Sequence, residues 1–369
     1  KSKKANKTLD RLKHNEDNFS AMSKVLPIWM MSLNDVSRIV PLEMNAFDYV
    51  IIDEASQCNF AYAFPAMYRA KHTIFFGDTL QMRDDNIMFK SNDQLNAIAK
   101  KHKIPEVYQI KAEEDTVKSV MDIAYLNGFK TTSLKYHYRS PKEVIGFSNE
   151  AFYESKGRQL EAVNDNLIPY KDTGRVLLNH LVKPDESEEL GSRTNIAEVR
   201  KIQELIEEIK SDPILKDKSI AVLTFFNEQA EELRKAIKDE DIKVSIIDGI
   251  QGDERDIVIF SLVAKDPVEG KKRYVPMTAE GGQIKKEIAE GRVNVAFSRA
   301  RLQVHCVTSL PTELWPEGIW IKKYLEYVDK NGVISRRHSK AEQQFDSHFE
   351  EDVFNYLCKE LDANLYSLE

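Results

Sequence analysis

The 369-residue chain carries 53 lysines and arginines against 60 aspartates and glutamates, a formal net charge of −7 at pH 7. This balance argues against a protein that coats nucleic acid through bulk electrostatics, but it leaves room for a local basic groove. The 42% hydrophobic content excludes a disordered or fibrous chain and is enough for two domains with real cores.

No apolar run approaches the roughly 18 residues of a membrane span, and the lysine-rich start lacks the apolar region of a secretory signal. We therefore expect no membrane association and a cytoplasmic location. Cys58, Cys306 and Cys358 are far apart and lack the spacing of metal ligands. They predict reduced thiols rather than a disulfide framework or a zinc site.

The first part of the chain predicts one strand and one short helix. Lys1 to His14 is basic and helix-compatible, and because the chain does not begin with methionine we expect a piece of a longer protein. Trp29 to Leu33 has the pattern of a strand. Ser32 to Ile39 has that of a short helix, with Asp35 as an acid in its first turn.

A buried strand followed by two acids is the most informative stretch. Tyr49 to Ile52 is continuously apolar and mostly β-branched, the composition of a strand covered on both faces. Ligands bind at the carboxyl ends of such strands, where Asp53 and Glu54 stand. The first carboxylate suits Mg²⁺, and the second could orient or deprotonate the water that attacks a γ-phosphate. The alternative is an ordinary strand end whose acids are solvated.

Beyond this strand, helix and strand patterns alternate as in doubly wound α/β domains. The predicted helices are Phe60 to Tyr68, Asp115 to Leu126, a helix opened by Pro141, Thr194 to Lys210, Asn227 to Lys238 and Ile319 to Val328. The predicted strands are His72 to Phe76, Thr131 to Leu134, Arg175 to Leu181, Ser219 to Thr224, Val244 to Ile247, Ile257 to Val263 and Gln303 to Thr308. The polar stretch from Asp329 to Lys340 predicts a linker.

Five motifs resemble, in order, motifs II to VI of the superfamily 1 helicases. Asp53-Glu54-Ala55-Ser56-Gln57 is similar to motif II of the branch related to the nonsense-decay RNA helicases. The stretches that resemble motifs III to VI are Gly77 to Gln81, Tyr136 to Pro141, Gln251 to Asp256 and Arg292 to Arg301. Similar forms of Pro27 to Ser32 and of His137 to Ser140 recur in a bacterial group of large helicase-like proteins, many of which end in a Vsr-like endonuclease domain. The resemblance runs from about Pro27 to about Tyr327.

The resemblance implies an α/β fold of two RecA-like P-loop NTPase lobes with parallel sheets, the first of them incomplete. Residues 1–128 would be the C-terminal part of lobe one, with motifs II and III. Residues 129–330 would form lobe two, with motifs IV, V and VI. Residues 331–369 would be a linker and a C-terminal helix, which either opens a nuclease-like domain or docks on lobe two.

The resemblance also implies ATP and Mg²⁺ as cofactors and single-stranded DNA or RNA as partner. Asp53 would hold Mg²⁺, Glu54 would activate water, and Gln81 would sense the γ-phosphate. Arg139 and Arg299 would stabilise the transition state across the lobe interface, unless they are structural arginines. Further contacts to the nucleotide are expected from Gln57, Gly252 and Glu254; the oligomeric state stays open.

One expected element has no counterpart in this chain. A P-loop NTPase needs Gly-x-x-x-x-Gly-Lys-Ser/Thr to cradle the phosphates, and no such stretch occurs in the sequence. We expect the motif to lie upstream in a longer protein, or to be absent altogether, so that this piece alone hydrolyses ATP poorly and lobe one exposes apolar surface. The competing interpretation is a degenerate clamp that binds nucleic acid or protein without turnover.

Overall fold

The computed structural model describes residues 16–82, 92–104, 119–163, 175–183, 193–250, 252–263 and 283–336. The chain divides into two compact units, residues 1–132 with 282–284 and residues 133–281 with 285–369. No helix within the described ranges is long and apolar enough to cross a membrane.

The first unit is built around two parallel strands. Its elements are α1 Glu16–Val25, α2 Leu33–Ile39, β1 Phe47–Ile52, α3 Phe60–Tyr68, β2 Ala70–Phe75, α4 Asn92–Lys101 and α5 Val120–Leu126. The strands pair in parallel, with Tyr49 opposite His72 and Ile51 opposite Ile74. Local sequence sets the helix starts, because Ser32, Asn59 and Ser119 each accept a backbone N–H at an N-cap.

Only one face of this two-stranded sheet is covered by described residues. Ile52 packs there with Ala55, Ala63 and Val120. The opposite face is apolar and open, with exposed fractions of 61% each for Tyr49 and Ile51, 40% for Ile74 and 48% for Phe76. The expectation that β1 is covered on both faces is therefore wrong within the described chain. The expectation that the first lobe exposes apolar surface is confirmed.

The segment before α2 is not the predicted strand. Residues 26–32 have no regular secondary structure. Trp29 packs against Phe19, with ring centroids 5.4 Å apart, and against Phe47, at 6.5 Å. Its apolar character thus serves aromatic packing rather than strand pairing. The predicted helix that follows is confirmed, and Ser32 caps it by accepting the N–H of Asp35.

Arg69, directly after α3, ties this helix to the segment before β1. Its guanidinium donates to the carbonyl oxygens of Pro41 at 2.9 Å, Pro65 at 2.7 Å and Val40 at 3.1 Å. The side chain is buried, and burial lowers its pKa below the usual arginine value. A charged donor thus replaces water for three carbonyl groups at one corner of the unit.

The second unit holds a larger parallel sheet. Its elements are β3 Tyr136–His137, α6 Lys142–Ser148, β4 Glu161–Ala162, β5 Leu177–Leu181, α7 Ile196–Ser211, β6 Ile220–Thr224, α8 Asn227–Ala236, β7 Lys243–Ile246, β8 Arg255–Ser261, α9 Gln283–Phe297, β9 Ala300–Thr308, α10 Trp320–Asn331 and β10 Val333–Arg336. Six strands form one sheet in the order β10-β5-β9-β8-β6-β7, and every neighbouring pair is parallel. The predicted α/β fold with parallel sheets is confirmed.

Helices pack on both faces of this sheet. Along β8, Ile257 and Ile259 join a core cluster with Ile202 of α7. Phe260, which points the other way, packs against Phe297 of α9 with ring centroids 5.0 Å apart. Strands buried on both sides read as apolar runs, which is why sequence alone located them.

Two predictions about this unit are wrong. Residues 131–134 form no strand; the strand that pairs with β4 is Tyr136–His137. The predicted linker instead contains β10, which adds a parallel edge strand beside β5. Its sequence, Val-Ile-Ser-Arg, is too short and too mixed to stand out without its partner. The helices expected at residues 1–14 and beyond residue 340 lie outside the described residues.

Candidate functional site

The two acids after β1 sit in a strained turn. Glu54 is a non-glycine residue in the left-handed region, with φ 51° and ψ 40°. The Asp53 carboxylate accepts the Glu54 N–H at 3.0 Å, and the Gln57 amide donates to the Glu54 carboxylate at 3.0 Å. Backbone strain of this kind costs of order 1–3 kcal/mol and clusters at functional sites. The turn therefore presents both acids in a fixed geometry.

Gly77 allows the segment after β2 to approach this turn. A Cβ built on Gly77 would lie 2.9 Å from the Ser56 nitrogen and 3.1 Å from the Ala55 nitrogen. The contact is fastened by hydrogen bonds from Ala55 N–H to the Phe76 carbonyl at 2.7 Å and from Phe76 N–H to the Ile52 carbonyl at 2.9 Å. The ends of β1 and β2 thus meet only because residue 77 has no side chain.

The loop after Gly77 orders the predicted γ-phosphate sensor. Asp78 accepts the Leu80 N–H at 3.0 Å and the side-chain amide of Gln81 at 3.0 Å. Asp53, Glu54 and Gln81 therefore follow two neighbouring parallel strands at the same edge of the sheet.

Asp53 fits the role of a magnesium ligand. Its side chain is exposed at the strand end, and among the described residues only one of its oxygens has a partner, the Glu54 N–H. No group of three or more histidine, cysteine, aspartate or glutamate side chains in the described ranges could hold a metal ion. A single carboxylate suits Mg²⁺, which keeps several waters and takes its other ligands from substrate phosphates.

In the second unit, Glu254 joins three sequence motifs at one point. One carboxylate oxygen of Glu254 lies 2.5 Å from Nε of Arg139, and the other lies 3.5 Å from a guanidinium nitrogen of Arg301. Arg139 precedes α6, Glu254 precedes β8, and Arg301 lies at the start of β9. Charge-assisted hydrogen bonds of this type are the stronger ones in proteins.

Arg301 also contacts Asp256 and Ser219. Its Nε lies 3.1 Å from the Asp256 carboxylate, and another of its nitrogens donates to the Ser219 hydroxyl at 3.4 Å. Burial acts to raise the pKa of Asp256, but hydrogen bonds from Ser219 and the Arg301 charge leave it below its usual value. Asp256 therefore stays ionised and keeps Arg301 beside Glu254.

Arg299, the second predicted arginine finger, is 2% exposed and donates to the Val295 carbonyl at 3.0 Å. It lies close enough to His137 for its charge to act on that ring, as do Arg139 and Glu254. Arg139 and Glu254, which sequence reasoning assigned separately, are in direct contact, and the charge of Arg299 acts on the same histidine ring as both of them.

Gly252 has φ 74°, a conformation that favours glycine, and no atom within 4 Å of where a Cβ would be. The loop around it is fixed by Asp253, which pairs with Lys243 at 2.9 Å and Arg255 at 2.5 Å. The hydrogen bond from Lys243 is the main cause that lowers the pKa of Asp253 to about 2. Gln251 lies outside the described residues.

This arginine cluster lies at the amino edge of the second sheet, where β8 and β9 begin. The rule that ligands bind at the carboxyl ends of parallel strands located the acids of the first unit, but it does not locate this arginine cluster. The resemblance to motifs IV, V and VI located the cluster instead. Arg301, His137 and Gly77 were missed as individual residues; the available signal was their position inside motifs VI, IV and III.

The carboxyl edge of the same sheet holds a separate buried network. The Glu198 carboxylate accepts the Ser261 hydroxyl at 2.6 Å, the Val263 N–H at 2.9 Å and the Asn195 amide at 3.1 Å. Val263 adopts φ 58°, which is rare for a β-branched residue. Glu198 therefore fixes the strained backbone that leaves β8.

Residues 116–310 match the family model described as an AAA domain. The uncharacterized ATP-dependent helicase MG140 of Mycoplasma genitalium is 27% identical over 381 residues, 92% of this chain and 31% of the relative. DNA polymerase alpha-associated DNA helicase A of Saccharomyces cerevisiae is 28% identical over 224 residues, 54% of this chain and 31% of the relative. The chain spans about a third of the length of these relatives. Among solved structures, the match to the PRRSV helicase covers 85% of this chain and 50% of the helicase chain, with 12% sequence identity and a TM-score of 0.32.

Proposed function

Because the chain belongs to the AAA domain family matched by residues 116–310, we propose that it is part of the motor of a superfamily 1 helicase. The motor would couple ATP hydrolysis to movement along single-stranded DNA or RNA. The form of residues 53–57 supports the branch related to the nonsense-decay RNA helicases. The helicase names of both relatives support the activity.

The observation that carries the proposal is the meeting of three motifs on Glu254. Arg139 and Arg301 come from motifs separated by more than a hundred residues, yet both reach this one carboxylate. Glu254 thus holds the guanidinium groups of Arg139 and Arg301 in place. Preorganised guanidinium groups of this kind stabilise a transferred phosphoryl group.

The resemblance to the helicase motifs supports a role for each of these residues. Asp53 would hold Mg²⁺, which would supply positive charge to the phosphates of the nucleotide. Glu54, fixed by Gln57, would orient and deprotonate the attacking water, and Gln81 would contact the γ-phosphate. Arg139 and Arg299 would stabilise the charge of the transition state, while Gly252 and Glu254 would contact the nucleotide.

The test is the Glu54→Gln variant of the full-length protein that contains this chain. It removes the base but keeps the side-chain volume and a hydrogen-bond partner for Gln57. We expect ATP binding to persist and nucleic-acid-stimulated turnover to be abolished. Glu43→Gln, at an exposed glutamate of the same unit, is the matched control and should leave both unchanged.

Near-normal turnover in the Glu54→Gln variant would show that Glu54 is not the general base. A wild-type protein that binds single-stranded nucleic acid without any ATPase activity would instead favour the non-hydrolysing clamp.

A further inference from the structure

Arg139 stands in a turn that is closed by the side chain of His137. The backbone of His137 is fixed by the β3–β4 pairing, and its carbonyl accepts the Val163 N–H at 2.9 Å. Its Nε2 accepts the backbone N–H of Ser140 at 3.0 Å. The imidazole therefore bridges the residues on either side of Arg139.

The same turn is fastened to the segment that carries the other two arginines. Ser140 is fully buried, and its hydroxyl donates to the Ala300 carbonyl at 2.7 Å. Ala300 lies between Arg299 and Arg301 in sequence. A displacement of the His137 turn therefore changes the position of Arg139 relative to both of these arginines.

The bridge has a chemical requirement. Nε2 accepts a hydrogen bond only when it is unprotonated, so the ring has to be neutral with its proton on Nδ1. Burial, followed by the charges of Arg139 and Arg299 and opposed by that of Glu254, lowers the pKa of His137 to about 4. The ring is thus kept in the accepting form throughout the neutral range.

We propose that His137 is a positioning residue for the arginine cluster: its neutral ring fixes the turn that places Arg139, and Ser140 transmits that position to the Arg299 segment. The proposal rests on the proposed function. It predicts that the hydrogen-bond acceptor at Nε2, rather than the bulk of the ring, is what turnover depends on.

The experiment compares two amide substitutions in the full-length protein. In His137→Gln the amide oxygen can reach the place of Nε2, whereas in His137→Asn it reaches only the place of Nδ1. We expect His137→Asn to lower kcat of the nucleic-acid-stimulated ATPase by about 10- to 100-fold, since a misplacement of about 1 Å can cost about 100-fold. We expect His137→Gln to stay within about threefold of wild type, and KM for ATP to change little in either variant.

Two further readouts separate positioning from simple support of the fold. Long-range ¹H–¹⁵N NMR of histidine-labelled wild-type protein should show an unprotonated Nε2 and a protonated Nδ1 for His137 near neutral pH. In the Arg139→Ala background, adding His137→Asn should lower kcat by less than about twofold further, because the residue that His137 positions is already absent.

Equal losses of kcat in the Gln and Asn variants would overturn the proposal, as would a protonated Nε2. So would an undiminished effect of His137→Asn in the absence of Arg139. These outcomes concern His137 alone, because the proposed function fails separately, through a wild-type protein that lacks ATPase activity.

Discussion

Replacing Gly77 by alanine should separate the two segments that carry the proposed catalytic side chains of the first unit. The new Cβ would lie 2.9 Å from the Ser56 nitrogen and 3.0 Å from the sulfur of Met121, where ordinary contacts begin at 3.4 Å. The sulfur can move, but the Ser56 nitrogen belongs to the backbone of the strained turn that follows Glu54. Relief therefore requires a backbone shift of about 0.5 Å.

The size of that shift determines the expected loss of stability and the expected loss of kcat. Overpacking of this kind costs about 1–3 kcal/mol of stability. It also stretches the bond from Ala55 N–H to the Phe76 carbonyl, now 2.7 Å long. If about 1 Å of misplacement costs about 100-fold in rate, half of that distance costs about tenfold in kcat.

The assay pairs urea unfolding with steady-state ATPase measurements on the full-length protein. Gly157→Ala is the control, since Gly157 has φ 67° but nothing within 4 Å of its Cβ position. It should lose about 1 kcal/mol through its backbone conformation and keep its kcat. If Gly77→Ala loses stability but not kcat, the close approach at Gly77 serves the fold alone and our reasoning about the acids is refuted.

Two other predictions concern stability. Arg69→Met should cost about 2–4 kcal/mol, because three carbonyl groups lose a buried charged donor. Lys71→Met, which removes an exposed ion pair with Asp48, should be close to neutral; equal effects in urea unfolding would contradict the anchoring role of Arg69. Burial, followed by the charge of Lys201, lowers the pKa of His305 from 6.5 to about 4. The unfolded chain therefore binds the additional proton, and His305 should contribute a fall in stability of about 2 kcal/mol between about pH 7 and about pH 5. His137 and His180, whose pKa values are also lowered, should add to this fall, so a flat pH profile of unfolding would show that none of these histidines is held neutral.

The parts of the fold that sequence predicted are those specified by local patterns. The helix over Phe60–Tyr68 has the bounds predicted, because Asn59 caps its start and the residues that follow are apolar, even though Pro65 lies inside it. Most strands of the second sheet were placed within two or three residues, since each is an apolar run bounded by polar turns.

The parts that it missed depend on distant partners. Trp29 looked like a strand residue because its packing against Phe19 and Phe47 is invisible in the local sequence. The pairing of Arg139 with Glu254 joins residues 115 positions apart, and no periodicity predicts such a contact. Motif resemblance indicated which residues matter, but only coordinates show which of them touch.

The second sheet also has a mechanical consequence. β8 is seven residues long, about 20 Å from end to end, with Glu254 and its arginines at one end and the Glu198 network at the other. From Ile257 to Val263 almost every side chain is fully buried, and the strand is hydrogen-bonded on both sides. A close-packed rod of this kind neither shortens nor bends easily. A displacement of Glu254 first meets the irregular register between Arg255 and Ile257. Beyond it, the regular and buried part of β8 leads to a second irregular place, the strained backbone of Val263 at φ 58°.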